Sequence, residues 1–263
     1  MALELAGIKQ FLLDMDGTFY LGDTLLPGAL DFWELCHDRG VGCAFLTNNS
    51  SRGAEAYLAR LRKMGVPHLD AARIFTSADA TLLYLAEHRL GPSLLLVGTP
   101  SLEAQFAAAG YVLDGAEPRA AVLGFDTTLT YGKLTALCQA VAAGLPYIAT
   151  HPDLVCPVDG GVIPDIGATI AYVEAATGRR PDAVIGKPNG YIARAAARRY
   201  GCAVEELCMV GDRLYTDIAL GSCGCGTVLV LSGESRREDL PGAAHQPDLV
   251  CENLAELCAW IED

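Results

Sequence analysis

Short runs of leucine and β-branched residues alternate along the chain with stretches whose apolar residues return every three or four positions. Strand-length runs separated by helical patterns predict a parallel sheet in an α/β fold. Residues 8–13 form the first such run. Pro27 and Gly28 then lead into a helix with Leu30, Trp33 and Cys36 on one face, stopped by Gly40. After a second run at 41–46, Ala54, Tyr57, Leu58, Leu61 and Met64 mark an amphipathic helix ending at Gly65. Ile74–Thr76 reads as a third strand. The middle repeats the theme, with strands at Leu94–Val97, 121–125 and 147–150 and helices at 101–109 and 131–143. A stretch rich in Pro and Gly, 152–167, precedes a helix at 168–176. Strands at 183–185, 207–210 and 227–231 and helices at 191–200, 216–220 and 254–261 complete the chain. Trp33 and Trp260 fit helix packing, while His37, His68, His88 and His245 have no matching partner sets and read as surface or loop residues.

The 263 residues carry 19 Lys and Arg against 32 Asp and Glu, a net charge of −13. That balance argues against a nucleic-acid or membrane-surface partner, because both need clustered cations. An anionic small molecule would therefore have to be held by a local site, including a metal. The apolar runs are strand-length and too short to cross a membrane. Residues 1–7 hold Glu4 and no basic residue ahead of the apolar run, which is not the pattern of a secretory signal. Most of the ten cysteines lie in apolar settings and read as small buried hydrophobes. Cys223 and Cys225 are closely spaced, but no second pair completes a metal-ligand pattern. A cytoplasmic location is the expectation.

The chemistry-bearing residues sit at the ends of the expected strands. Asp14-Met15-Asp16-Gly17-Thr18 follows the first strand, and Gly17 permits a turn that lets both carboxylates face one crevice. Such a pair reads either as a nucleophile with a proton donor or as an acidic turn with a capping Asp. Thr47-Asn48-Asn49-Ser50 closes the second strand with anion-binding or helix-capping groups. Lys187, after the strand at 183–185, offers a point charge to a phosphoryl group or to solvent. Asp212 and Asp217, after the strand at 207–210, suit a hard cation such as Mg²⁺. Four strand ends carrying two acid pairs, a Thr and a Lys exceed what turns alone would require.

In order and spacing these residues resemble the four motifs of the haloacid dehalogenase (HAD) superfamily, across essentially the whole chain. Leu46-Thr47-Asn48-Asn49-Ser50-Ser51, Thr76-Ser77-Ala78, Ala149-Thr150-His151-Pro152-Asp153, Gly186-Lys187-Pro188 and Gly211-Asp212-Arg213 are similar to the NagD-like, p-nitrophenyl phosphatase branch with its type IIA cap. The resemblance implies a Rossmann-like core with a parallel sheet at 1–78 and 181–263, and an inserted α/β (C2A) cap at 79–180. It implies that Asp14 attacks phosphorus to form a phosphoaspartate and that Asp16 protonates the leaving oxygen and then activates water. Mg²⁺ would be bound by Asp14, Asp212 and the backbone carbonyl of Asp16. Thr47 and Lys187 would hold the phosphoryl oxygens, helped by backbone N–H groups near Met15, Asp16 and Asn48. Asn49 would assist them, and Asp217 would orient Lys187 or support the metal. Dehalogenases need no acid two residues after the nucleophile, so Asp16 favours phosphoryl transfer.

The implied activity is Mg²⁺-dependent hydrolysis of a small-molecule phosphate ester, such as a nucleotide, a sugar phosphate or phosphoglycolate. The alternatives are a phosphotransferase or mutase using the same aspartate, and a binding protein on the same scaffold. Caps of this family often dimerise, which implies a homo-oligomer through the cap. Two positions depart from the family pattern: Asp165 stands where Gly is typical, and His151 where Asn is typical. Asp165 and its neighbours are expected to line the leaving-group pocket or to lie on a solvated loop.

Overall fold

The computed structural model describes residues 7–113, 115–158 and 160–262. Two compact units emerge, one made of 1–47, 54–75 and 187–263, the other of 48–53 and 76–186.

The first unit is built on a six-stranded sheet in the order Leu249–Cys251, Gly226–Val230, Leu207–Gly211, Gln10–Leu13, Gly42–Thr47, Ile74–Thr76. Gln10–Leu13 runs parallel to Gly42–Thr47 on one side and to Leu207–Gly211 on the other. Its four residues are all buried, as expected for an interior strand of a sheet covered on both faces. The strand order changes direction at this first strand, and the crevice at the carboxyl ends of such strands is where α/β sheets bind ligands. Asp14 and Asp16, Thr47 and Asp212 all fall at those carboxyl ends.

Aromatic packing sets the loops that follow. Trp33, from the helix Ala29–Asp38, stacks on Phe45 with ring centres 5.0 Å apart, and Phe19 meets Phe45 edge-on at 4.8 Å. Phe19 lies just after the Asp14 loop and Phe45 just before Thr47, so one cluster anchors both. Trp33 is buried and donates to the Pro67 carbonyl at 2.8 Å, whereas Trp260 is 54% exposed and does not pack as expected. Trp260 lies on the solvent side of Leu254–Glu262, whose buried positions are Leu254 and Leu257.

The second unit has a four-stranded parallel sheet in the order Ala183–Val184, Tyr147–Ala149, Ala120–Leu123, Leu94–Val97. Its helices Pro100–Ala108 and Tyr131–Ala142 start at Thr99 and Thr130, each capping with its side chain. Three features depart from the pattern-based reading. The Pro- and Gly-rich stretch holds an antiparallel hairpin, Val155–Val158 with Gly161–Pro164. A helix, Ser77–Glu87, begins at a Thr76–Asp79 capping box and runs across the expected boundary at 78/79. The strand Ala183–Val184 pairs with Tyr147–Ala149, so the second unit runs to Gly186 where the sequence division stood at 180/181. In the first unit, a 3₁₀ segment, Ile218–Cys223, replaces the helix expected at 216–220. No disulfide joins any cysteines among the described residues, and no helix among them is long and apolar enough to cross a membrane.

Candidate active site

The loop after Gln10–Leu13 is a tight backbone knot. The Met15 carbonyl accepts from the N–H groups of Phe19 at 2.9 Å and Tyr20 at 3.1 Å, and Gly17 N–H donates to the Tyr20 carbonyl at 2.8 Å. Gly17 has φ +87, and a Cβ there would collide with the Asp212 carboxylate. The turn requires glycine, as the sequence suggested, and so does the close approach of Asp212, which the sequence did not show.

Lys187 is the centre of the site. Only 2% exposed, its Nζ donates to Asp14 Oδ1 at 2.6 Å, Asp217 Oδ1 at 2.7 Å and the Leu46 carbonyl at 3.1 Å. Burial pulls its pKa down, but the attraction of Asp14 and Asp217 outweighs this and raises it above the ordinary lysine value. Asp217 is held from its other side by the Arg213 N–H, which donates to Oδ2 at 3.1 Å. Its carboxyl is raised to about 6, by burial and by Asp14 against the pull of Lys187.

Asp212 is buried, with Oδ2 accepting from Glu234 N–H at 2.7 Å and Oδ1 from Thr18 Oγ1 at 3.4 Å. Burial, Asp14 and Asp217 push its carboxyl up to about 8. Asp14, Asp212 and Asp217 each offer an oxygen within 4.8 Å of the others. Three clustered carboxylates face one lysine, a surplus of negative charge that a divalent cation would neutralise. The hard oxygen donor set suits Mg²⁺, so the residues present fit the ion.

Asp16 differs from these. Its side chain reaches solvent, yet the surrounding protein and the negative Asp14 push its carboxyl up to about 6. Arg60, Arg213 and the Tyr20 hydroxyl, 3.5 Å from Asp16 Oδ2, hold it down from there. Tyr20 and Arg60 were not singled out by motif. Arg60 lies over the Tyr20 ring at 4.4 Å, donates to its hydroxyl at 3.3 Å and to the Gly22 carbonyl at 2.6 Å. Arg213 pairs with Glu234 at 3.0 Å. The adjacency of Arg213 to Asp212 was a signal for it, whereas an arginine on the polar face of a helix carries none.

Thr47 ends its strand in the first unit, 7% exposed. Asn48 and Asn49 follow in the second unit. Asn48 Nδ2 donates to Asp153 Oδ1 at 3.0 Å. Asn49 Oδ1 accepts from the Ser51 N–H at 2.9 Å and the Ser51 hydroxyl at 2.7 Å, a local turn-capping use of that side chain. His151 and Asp165 are buried against each other at 3.0 Å.

A family model described as haloacid dehalogenase-like hydrolase matches residues 11–112, and a second, HAD-hydrolase-like model matches 184–257. The acid sugar phosphatase of Staphylococcus aureus is 34% identical over 258 residues, covering 97% of this chain and 98% of that protein. The chain belongs to the haloacid dehalogenase superfamily.

The solved structure of NagD from E. coli K-12, 31% identical with a TM-score of 0.87 and covering 95% of this chain and 98% of that one, and two further relatives put this HAD protein in the NagD-like, p-nitrophenyl phosphatase branch. The 5'-nucleotidase YutF of Bacillus subtilis is 32% identical over 254 residues, covering 96% of the chain and 98% of the relative. The crystal structure of a 4-nitrophenylphosphatase from Thermotoga maritima superposes with a TM-score of 0.93 at 44% identity, covering 97% and 98%. This HAD protein is thus an enzyme of the phosphoric monoester hydrolase class.

Proposed function

We propose that this HAD protein is a Mg²⁺-dependent phosphatase that hydrolyses a small phosphate monoester through a phosphoaspartate on Asp14. The observation that carries the reading is the short contact of Lys187 Nζ with Asp14 Oδ1 and Asp217 Oδ1 beside a third carboxylate, Asp212. Lys187 fixes the Asp14 carboxylate and provides positive charge for the incoming phosphoryl group. Asp14, Asp212 and the carbonyl of Asp16 would hold Mg²⁺, which when bound screens the charge between carboxylate and phosphate.

In the first step an Asp14 oxygen bonds to phosphorus while the ester P–O bond breaks and Asp16 gives its proton to the departing oxygen. In the second, Asp16 takes a proton from water as the water oxygen attacks phosphorus, and inorganic phosphate leaves with Asp14 restored. A carboxyl raised to about 6 is suited to carry that proton in both directions near neutral pH. Thr47, with N–H groups near Met15, Asp16 and Asn48, would grip the remaining phosphoryl oxygens, and Asn49 would assist.

The relatives' names, nucleotidase, sugar phosphatase and 4-nitrophenylphosphatase, put nucleoside monophosphates, sugar phosphates and p-nitrophenyl phosphate in the substrate panel, to which the expectation from sequence adds phosphoglycolate. Phosphate release should require Mg²⁺ and stop with EDTA. Asp16→Asn should lower kcat about 10²- to 10⁴-fold for alkyl esters, which need the proton. It should do much less to p-nitrophenyl phosphate, whose phenolate leaves unprotonated. Equal losses on both ester types would remove Asp16 as the proton donor.

A further inference from the structure

The second unit contains a buried line of hydrogen bonds that the chemistry above does not use. The Phe125 N–H donates to Ser50 Oγ at 2.9 Å, and Ser50 Oγ lies 3.0 Å from Thr150 Oγ1. Thr150 Oγ1 is 3.0 Å from His151 Nδ1, and His151 Nε2 is 3.0 Å from Asp165 Oδ1. Asp165 Oδ1 also accepts the Ile166 N–H at 2.6 Å, starting the helix Ile166–Thr177. Ser50, Thr150 and His151 are fully buried and Asp165 nearly so.

The two ends of this line fix every proton in it. A carboxylate only accepts, so His151 Nε2 carries its hydrogen and Nδ1 accepts from the Thr150 hydroxyl. Thr150 then accepts from Ser50, and Ser50 accepts from the Phe125 N–H. In this arrangement each hydroxyl donates once and accepts once. His151, Asp153 and Asp165 also offer ligand atoms within 4.8 Å of one another. A metal would need the Nε2 lone pair, which reverses the line, so that Ser50 Oγ accepts from both Thr150 and the Phe125 N–H and its own proton finds no acceptor in the line. The hydrogen-bonded arrangement is the consistent one.

The same line abuts two segments of the chain. Gly186 N–H donates to the Thr150 carbonyl at 2.7 Å, and Ser77 Oγ donates to the Asn48 carbonyl. A Cβ on Gly186 would lie 2.8 Å from both His151 Cβ and the Thr150 oxygen, and 2.5 Å from Asn48 Oδ1. Asn48, Ser50, Thr150, His151 and Gly186 thus pack as one polar knot. Asn48 is covalently joined to Thr47, and Gly186 to Lys187.

We propose that the His151–Asp165 pair is a positioning element of the phosphate grip, locking the two segments from which Thr47 and Lys187 continue. The proposal rests on the reading of Thr47 and Lys187 as phosphoryl ligands. It gives Asp165 a role other than the leaving-group contact expected from sequence, since its Oδ1 is engaged by His151 and Ile166. An effect through the phosphoryl grip is common to all esters, whereas a leaving-group contact discriminates among them.

The test compares His151→Asn, Asp165→Gly, the double variant and Asp165→Asn, each checked by circular dichroism to be folded at the assay temperature. Each of the first two leaves a buried polar partner unmatched and should lower kcat/KM about tenfold, by a similar factor for every ester hydrolysed. Both should also weaken inorganic phosphate binding in calorimetry. Asp165→Asn keeps the accepting oxygen and should stay near wild type. The double variant, with neither partner left behind, should recover most of the loss. Losses confined to some esters, single variants at wild-type level, or a double variant as poor as the product of the singles would overturn the proposal. A wild type that hydrolyses no ester would count against the phosphatase reading instead, and the phosphate-binding series would still decide the role of the pair.

Discussion

Asp14→Asn is expected to abolish turnover of every ester, by about 10⁴-fold or more in kcat, while the protein remains folded. A carboxamide cannot serve as the nucleophile, so the loss falls on the chemical step and not on folding. The Asn oxygen can still accept from Lys187 Nζ, which now contacts Asp14 Oδ1 at 2.6 Å. Removing the Asp14 charge also relieves its neighbours, because Asp14 is among the groups raising Asp16, Asp212 and Asp217. The variant should therefore melt at or above the wild-type temperature at pH 8. Phosphate release at high enzyme concentration and a melting curve check the two halves of the expectation. Activity within tenfold of wild type would place the nucleophile elsewhere.

Lys187→Met should be both inactive and unstable, with an instability that depends on pH. The side chain is buried and its ammonium compensates Asp14 and Asp217. Removing one partner of a buried ion pair costs about 3–5 kcal/mol, because the other charge is left uncompensated. The sign follows from Asp217, whose carboxyl in the folded protein is already raised to about 6 from the ordinary 3.8. A raised carboxyl means that the folded state holds its proton more tightly than the unfolded chain, so stability falls as pH rises through that interval. Lys187 works against this shift, and its loss moves the interval to higher pH. The deficit in melting temperature should be small near pH 5, where the carboxyl is protonated, and large at pH 8. A deficit independent of pH would show that packing, not charge, is what Lys187 contributes.

The nature and order of most strands could be read from apolar runs: Leu207–Gly211 is buried throughout, Phe11–Leu13 follows the buried Gln10 as an apolar run, and Leu94–Val97 is wholly apolar with only Leu95 partly exposed. The helix Ser77–Glu87 could not, since its buried face is made of Ser77, Ala78, Ala80, Thr81 and Leu85 and shows no wide apolar stripe. Its legible signal was the cap, Thr76 with Asp79. The hairpin at Val155–Val158 escaped because Val155, Val158 and Val162 are exposed, so no alternation marks a buried face.

Among the chemistry-bearing residues, Asp14, Asp212 and Asp217 could be picked out because they follow strands of the six-stranded sheet, whose carboxyl ends converge. Lys187 follows a strand too, but Ala183–Val184 belongs to the second unit's sheet, so its place beside Asp14 was not legible from that rule. Tyr20 and Arg60 could not, since their place beside Asp16 depends on how a two-residue strand and a helix pack. The contact of His151 with Asp165 was equally hidden. The two departures from the family pattern were visible singly, but only the fold brings them within 3.0 Å.

The most direct test of Asp14 as nucleophile is the stereochemical course at phosphorus, followed with an isotopically chiral thiophosphate ester hydrolysed in labelled water. Attack by Asp14 and then by water makes two in-line displacements, and the account predicts overall retention of configuration. Inversion would mean that water attacks the ester directly, and would contradict it.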